Sequence, residues 1–182
     1  MKLDFGRLSM TEPTNILSLR PATDADQEFL ISVFASTRAD ELQALAWNPI
    51  QAEMFIKIQY NAQQQSYRLS YPEAENNIIL RDGQPIGRML IDRSGKTIHL
   101  VDIAILPDYR NHGVGSELIG GLLAEGATRR CEIVLSVFHT NPAIHLYDRL
   151  GFSKVDDRSP YWKMRWRPRN LAEQSALDLE SA

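Results

Sequence analysis

Ile98 to Leu106 is an almost unbroken apolar run, closed by Pro107 and followed at once by Arg110-Asn111-His112-Gly113-Val114-Gly115. A run of that character suits a central strand covered on both faces. Val114, Leu118, Ile119, Leu122 and Leu123 then recur at helical spacing, with Arg129 and Arg130 favourably placed near the helix C-terminus. The junction is therefore a strand, a basic glycine-bearing loop and a helix start. Such a junction is suited to a pyrophosphate. Glycine lets the backbone approach an anion, and the unpaired N–H groups of the first helical turn point at it along the favourable end of the helix dipole. The competing reading is that Gly113 and Gly115 only let helix and strand pack closely. A Mg-nucleotide P-loop is disfavoured, because no G-K-[ST] ends the loop.

The flanking segments define what surrounds this junction. Ile16 to Arg20 reads as a first strand ended by Pro21, and Thr23 with Asp26 resembles a capping box ahead of Phe29, Leu30, Val33 and Phe34 at helical spacing. A second helix starts near Asn48-Pro49 and carries Phe55, Ile58 and Ala62 on one face. Strands at 77–81 and 84–93 flank Asp82-Gly83, a hairpin turn signal, and Ser94-Gly95-Lys96 turns again into the strand at 97–106. Beyond the central helix, 132–138 reads as another buried strand. Asn141-Pro142 then opens a short helix through Leu150, with Gly151 as its C-terminal cap. Two final strands follow, 152–156 and 161–166, the second with Trp162, Met164 and Trp166 alternating onto one packed face. The order β-α-α-β-β-β-α-β-α-β-β predicts an α/β (α+β mixed) domain: a mixed, mostly antiparallel sheet with helices on both faces.

Composition narrows the function classes. A net charge of −3 argues against a general nucleic-acid binder. Cys131 is the only cysteine, so an intrachain disulfide and a zinc cluster are excluded; it reads as a small buried hydrophobe, with a catalytic thiol the lesser reading. No apolar stretch is long enough for a membrane span and the N-terminus has no long apolar signal region, so a cytoplasmic location is expected. Residues 1–15 are expected to be a loose extension, 16–167 the domain and 168–182 a polar tail.

Three segments together resemble the GCN5-related N-acetyltransferase (GNAT) superfamily over roughly residues 16–167. They are Asp102 to Arg110, Arg110 to Gly115 (similar to [Q/R]-x-x-G-x-[G/A]) and Asn141 to Phe152 (similar to N-x-x-A-x-x-x-Y-x-x-x-G-F). Asn111 stands where glycine is commonest in the family, and asparagine tolerates left-handed backbone geometry. The resemblance implies a GNAT-like acyl-CoA N-acyltransferase fold and an acetyl-CoA-dependent N-acetyltransferase. Its acetyl donor is acetyl-CoA, no metal takes part, and a primary amine attacks directly in a ternary complex. The alternative is a non-catalytic acyl-CoA-binding or regulatory module on the same fold.

Residue roles follow from the resemblance. Backbone N–H groups of Arg110, Asn111, His112, Gly113, Val114, Gly115 and Ser116 would hold the pyrophosphate of coenzyme A, with the Arg110 side chain either adding charge or supporting the loop. The main chain of Ile103, Ala104 and Ile105 would pair with the pantetheine arm, and an N–H near Ile105 would polarise the thioester carbonyl. Tyr147 would protonate the departing thiolate, against a core role suggested by its spacing with Leu146 and Leu150. Asn141 would be an N-cap, a cofactor contact, or both. Asp102 interrupts an apolar run, so it must be paired or functional: a base for the amine, directly or through water, or a structural salt bridge. His99 is expected on the opposite side of the strand from Asp102, as a structural histidine or a base. Arg38 and Glu41, with Asp40, fall where the fold shapes the acceptor pocket or form a solvated loop. Tyr60, Tyr67 and Tyr71 are further candidates for that pocket. The acceptor is a small-molecule or peptide amine, and neither nucleic acid nor membrane is an expected partner. The Trp162, Met164, Trp166 face is a candidate homodimer surface.

Overall fold

In the computed structural model, residues 16–44 and 47–168 are described. The expected loose extension at 1–15 and the tail beyond Pro168 lie outside those residues, and Pro168 itself is buried. The strands are β1 (Leu17–Pro21), β2 (Glu75–Arg81), β3 (Gln84–Asp92), β4 (Ile98–Ile105), β5 (Ile133–Phe138), β6 (Ser153–Arg158) and β7 (Tyr161–Trp166). They form one sheet in the order β1-β2-β3-β4-β5-β7-β6. Every neighbouring pair is antiparallel except β4 and β5, which run parallel. The helices are α1 (Gln27–Ser36), α2 (Ala39–Ala44), α3 (Pro49–Ser70), α4 (Val114–Arg129) and α5 (Ile144–Arg149).

Local chemistry explains the boundaries. Asp82 and Gly83 have φ of 51° and 80°, the two left-handed residues of a tight hairpin between β2 and β3. Asn48 accepts a hydrogen bond from the Gln51 N–H while the Gln51 side chain accepts from the Asn48 N–H, a reciprocal cap ahead of Pro49. Asp26 accepts from the N–H and the hydroxyl of Thr23 and from Arg20, fixing the entry to α1. The sequence pattern did not separate α2 from its neighbours.

Helices cover both faces. On one, α4 and α5 bury Val114, Ile119, Leu122, Ile144 and Tyr147 against Met89, Ile91, Ile98, Leu100, Ile133 and Met164. Cys131 lies in this same cluster. On the other face, α1 and α3 bury Leu30, Phe34, Ile56 and Tyr60 against Ile78. The buried face of α3 is thus Ile56 and Tyr60, and Ile58, expected inside, is 62% exposed. The buried stripe lies about one residue away from the anticipated one, and Phe55 pairs edge-on with Trp47 outside the core cluster. Trp162 and Trp166 flank a fully buried Met164 and pack on the first cluster, so the proposed homodimer face is part of this chain's own core.

Gly87 sits where β3 meets the end of β4: a Cβ there would lie 2.4 Å from the Ala104 carbonyl oxygen and 3.1 Å from Ile105 Cα. Both neighbours are backbone, so the strands must separate to admit it. Gly120 in α4 faces open space. Denaturant unfolding of Gly87→Ala is expected to show a loss of about 2 kcal/mol or more. Gly120→Ala is expected to gain up to about 1 kcal/mol from helix propensity alone.

Candidate active site

The site begins with a defect in the sheet. β3 pairs Leu90 with Asp102 and Ile91 with Leu100, which leaves Val101 as an extra residue in β4. Such a bulge bends its strand and sharpens the local twist. Pairing between β4 and β5 runs through Ile98↔Ile133, His99↔Val134 and Leu100↔Leu135 and stops there. From Val101 onward β4 diverges from β5 and leaves a wedge. The Leu106 N–H bonds the Ile86 carbonyl on the β3 side. By strand alternation the N–H and C=O of Ile105, and those of Ile103, point into the wedge.

The loop after β4 is anchored by a side chain. Arg110 Nε donates to the Ile105 carbonyl at 2.7 Å, and its terminal nitrogen donates to the Ser36 carbonyl and hydroxyl at 3.3 and 3.2 Å. Of the two readings for Arg110, the contacts are those of loop support: it ties the end of β4 to the end of α1. Asn111 and Gly113 take left-handed φ of 63° and 80°, and Asn111, His112 and Gly113 are all exposed. Gly113 is the N-cap of α4, so the N–H groups of Val114, Gly115 and Ser116 start the helix without intrahelical partners. Gly115 has a packing role as well, since a Cβ there would sit 3.1 Å from Leu146 of α5. Asn141 caps the turn before α5, its side-chain oxygen accepting from the Ala143 N–H at 2.9 Å.

Asp102 projects toward α1 and α3. It lines a cavity of about 30 Å3 with Leu30, Val33, Phe34, Thr37, Gln63, Arg88 and Ala104. Burial pushes its carboxyl above the usual range, opposed by Arg88 and by the Ile103 N–H. Arg88 Nη1 lies 3.5 Å from its oxygen. Arg88 is itself buried at 4% exposure, and it donates to Asn76 and Gln64 at 2.8 and 2.9 Å. Tyr67 lies beneath its guanidinium, 5.7 Å from the ring centre.

Tyr147 lies on the opposite face of the sheet, in the cluster under α4 and α5. It is buried edge-on to Phe152, with ring centres 5.7 Å apart. Its phenol is pushed up to about 12 by burial and secondarily by the Asp102 charge. Asp102 and Tyr147 are thus within electrostatic reach of each other from the two sides of the opening.

His99 corrects the sequence expectation. It pairs with Asp92, Asp102 pairs with Leu90, and Leu90 and Asp92 share one face of β3. The extra residue at Val101 restores the phase, so His99 and Asp102 lie on the same face. Burial lowers the His99 pKa and Lys163 lowers it further, against Asp92. Its ring lies 5.5 Å from that of Tyr71. Of the three tyrosines considered for the acceptor side, Tyr67 adjoins Arg88 and Tyr71 adjoins His99, whereas Tyr60 is core, edge-on to Phe34. Arg38 and Glu41 pair with each other at 3.2 Å, and Arg38 covers the Phe34 ring. They follow Thr37 of the cavity wall and join no other site residue by hydrogen bond. Arg88 was missed in the sequence. Its signal was like the one that marked Asp102, a charge set among apolar residues in mid-strand.

The sequence profile of the Acetyltransferase (GNAT) family matches residues 39–152. The chain belongs to that family. The segment so matched contains α2 through α5, and with it the bulge, the wedge and the loop. Over 89 residues the chain is 35% identical to a [ribosomal protein bS18]-alanine N-acetyltransferase of Haemophilus influenzae, covering 48% of this chain and 57% of the relative. The match thus spans little more than half the length of that protein. Among solved structures, PaiA N-acetyltransferase from Thermoplasma acidophilum in complex with coenzyme A superposes with a TM-score of 0.62 at 18% identity, covering 84% of this chain and 99% of that one. An acetyltransferase from Thermus thermophilus gives 0.60 at 19% identity, covering 83% and 96%. At these identities the superpositions establish the fold, that of the GNAT acetyltransferases.

Burial also raises the phenols of Tyr60 and Tyr67. A group whose folded pKa is raised loses its stabilising contribution as pH climbs from the unfolded value toward the folded one. For Tyr147 that window runs from about 10 to about 12. Absorbance titration at 295 nm is therefore expected to show fewer than the six phenolates of the full chain at pH 11 while the protein stays folded. Tyr147→Phe should remove one late-titrating group.

Proposed function

We propose that this protein is an acetyl-CoA-dependent N-acetyltransferase acting on a primary amine by direct attack. One observation carries the proposal most: β4 leaves β5 after Leu100, directly beside the unpaired N–H groups that begin α4. An acyl-CoA thioester presents the two features this arrangement suits. Its pyrophosphate matches the N–H groups from Arg110 to Ser116. Its amide-bearing arm matches the main chain of Ile103 and the N–H of Ile105, which point into the wedge on either side of Ala104. Asn141, which caps the turn before α5, would add a contact to the cofactor.

The chemistry follows from the two faces of the wedge. A neutral amine on the α1–α3 side attacks the thioester carbonyl carbon, and its excess proton passes to Asp102 directly or through one water. Charge on the carbonyl oxygen is met by the Ile105 N–H. The C–S bond breaks toward the α5 side, where Tyr147, kept protonated by burial, donates to the thiolate. A carboxyl raised by burial is a better proton acceptor than an exposed aspartate. Arg38 and Glu41 border the acceptor entrance beyond Thr37. The relative from Haemophilus influenzae is named for an alanine of a ribosomal protein. We therefore take a peptide N-terminal amine as the first acceptor to test, ahead of free amines.

Thermal-shift titration with acetyl-CoA, coenzyme A and ATP tests the donor: stabilisation by both thiol compounds and none by ATP is expected. Absence of any shift with coenzyme A compounds at millimolar concentration would sink the proposal. Free-thiol release with N-terminal alanine peptides then reads turnover. Tyr147→Phe is expected to lower kcat roughly 100-fold with acetyl-CoA affinity nearly unchanged. Equal loss of both would remove Tyr147 from the chemistry.

A further inference from the structure

Two arginine–aspartate pairs in this protein are built differently. Arg20 grips Asp26 with both terminal nitrogens at 2.8 and 2.6 Å, and this bond, with those from Thr23, holds the Asp26 carboxyl far below its usual range. Arg88 and Asp102 are the same chemical pair, yet their closest approach is 3.5 Å. That exceeds the roughly 2.7–2.9 Å of a charge-assisted bond.

The cause is the competition for Arg88. A buried guanidinium must have its donors satisfied, and Arg88 is the only buried cation among the described residues. Nε is taken by Asn76 Oδ1 from β2 and one terminal nitrogen by Gln64 Oε1 from α3, while the guanidinium lies over Tyr67. Only the remaining nitrogen turns toward Asp102. Both holders are neutral amides on elements other than β4, so the cation's place is fixed independently of the strand that carries Asp102.

We propose that Arg88 is a positioning residue for Asp102: Asn76 and Gln64 hold its guanidinium at ion-pair distance but short of a bidentate bond, so that the carboxylate stays charged while its oxygens remain able to take a proton. The catalytic consequence rests on Asp102 being the acceptor's base; the held-back ion pair itself does not. The other groups facing Asp102 are Tyr67 from α3, Tyr147 from α5 and, on its own strand, His99. From α1 the cavity receives Leu30, Val33 and Phe34, and from its C-cap Thr37, none of which titrates in the working range.

The test is a pH titration of the full chain labelled with 13C at aspartate carboxyls, with the Asp102 signal assigned by its absence in Asp102→Asn. Arg88→Met, which fills the space without the charge, is expected to raise the Asp102 midpoint by about one pH unit or more. Arg88→Lys should bring it back below that of Arg88→Met. Asn76→Ala with Gln64→Ala frees the guanidinium to close on the carboxylate and should lower the midpoint below wild type. A generally loosened structure would not give shifts of opposite sign, and far-ultraviolet circular dichroism of each variant establishes that it is folded. An unmoved midpoint in Arg88→Met, or a midpoint that holds or rises in the amide variant, overturns the proposal. The acid limb of kcat/KM for peptide acetylation should follow the NMR midpoint across the series. Midpoints that move as expected under a fixed limb would uphold the ion-pair arrangement and remove Asp102 as the base.

Discussion

The extra residue at Val101 governs the centre of this molecule. A sheet with every rung paired would have no opening, and its backbone polar groups would all be consumed by neighbouring strands. One unpaired residue bends β4 away from β5 and leaves the polar groups of Ile103 and the Ile105 N–H without a strand partner on that side. It also shifts the phase of the strand, which brings His99 onto the face of Asp102. The wedge is kept open because both strands are anchored elsewhere: β4 by its pairing with β3, β5 by its pairing with β7.

What surrounds the wedge is arranged to hold it rigid. Arg110 closes the end of β4 onto α1 through the Ile105 carbonyl and Ser36. Gly115 lets the first turn of α4 sit against Leu146. At the opposite end of β4, Arg93 bridges Glu125 of α4 and Glu75 of β2. Each contact joins elements distant in sequence, so the free N–H groups at the helix start are presented by a frame rather than by a loop alone. A preorganised dipole array of this kind needs little rearrangement when charge appears in front of it.

The electrostatics of the opening differ between its two sides. On the α1–α3 face a half-buried carboxyl balances desolvation against an arginine held at a distance. On the α4–α5 face a phenol stays protonated well past neutrality. Two ionisable groups pushed in this way on either side of one gap form a pattern suited to proton transfer in both directions.

Much of this was legible in the chain itself. The loop motif, the left-handed tolerance of Asn111, the hairpin at Asp82-Gly83, the helix start at Asn48-Pro49 and the oddity of a charge at Asp102 are local properties, set by backbone sterics and by the cost of burying charge. The succession of strands and helices along the chain, and a mixed sheet with helices on both faces, followed from apolar periodicity; the order of the strands within the sheet did not. The face of α3 and the side on which His99 falls were not readable, because each depends on contacts between segments far apart in sequence. A bulge leaves almost no local signature, since it is a mismatch between two strands and belongs to neither alone. Arg88 shows the boundary most plainly: the sequence contained a charge set among apolar residues in mid-strand, and only the packing of β2, α3 and β4 around it determined which groups hold it and how near it stands to Asp102.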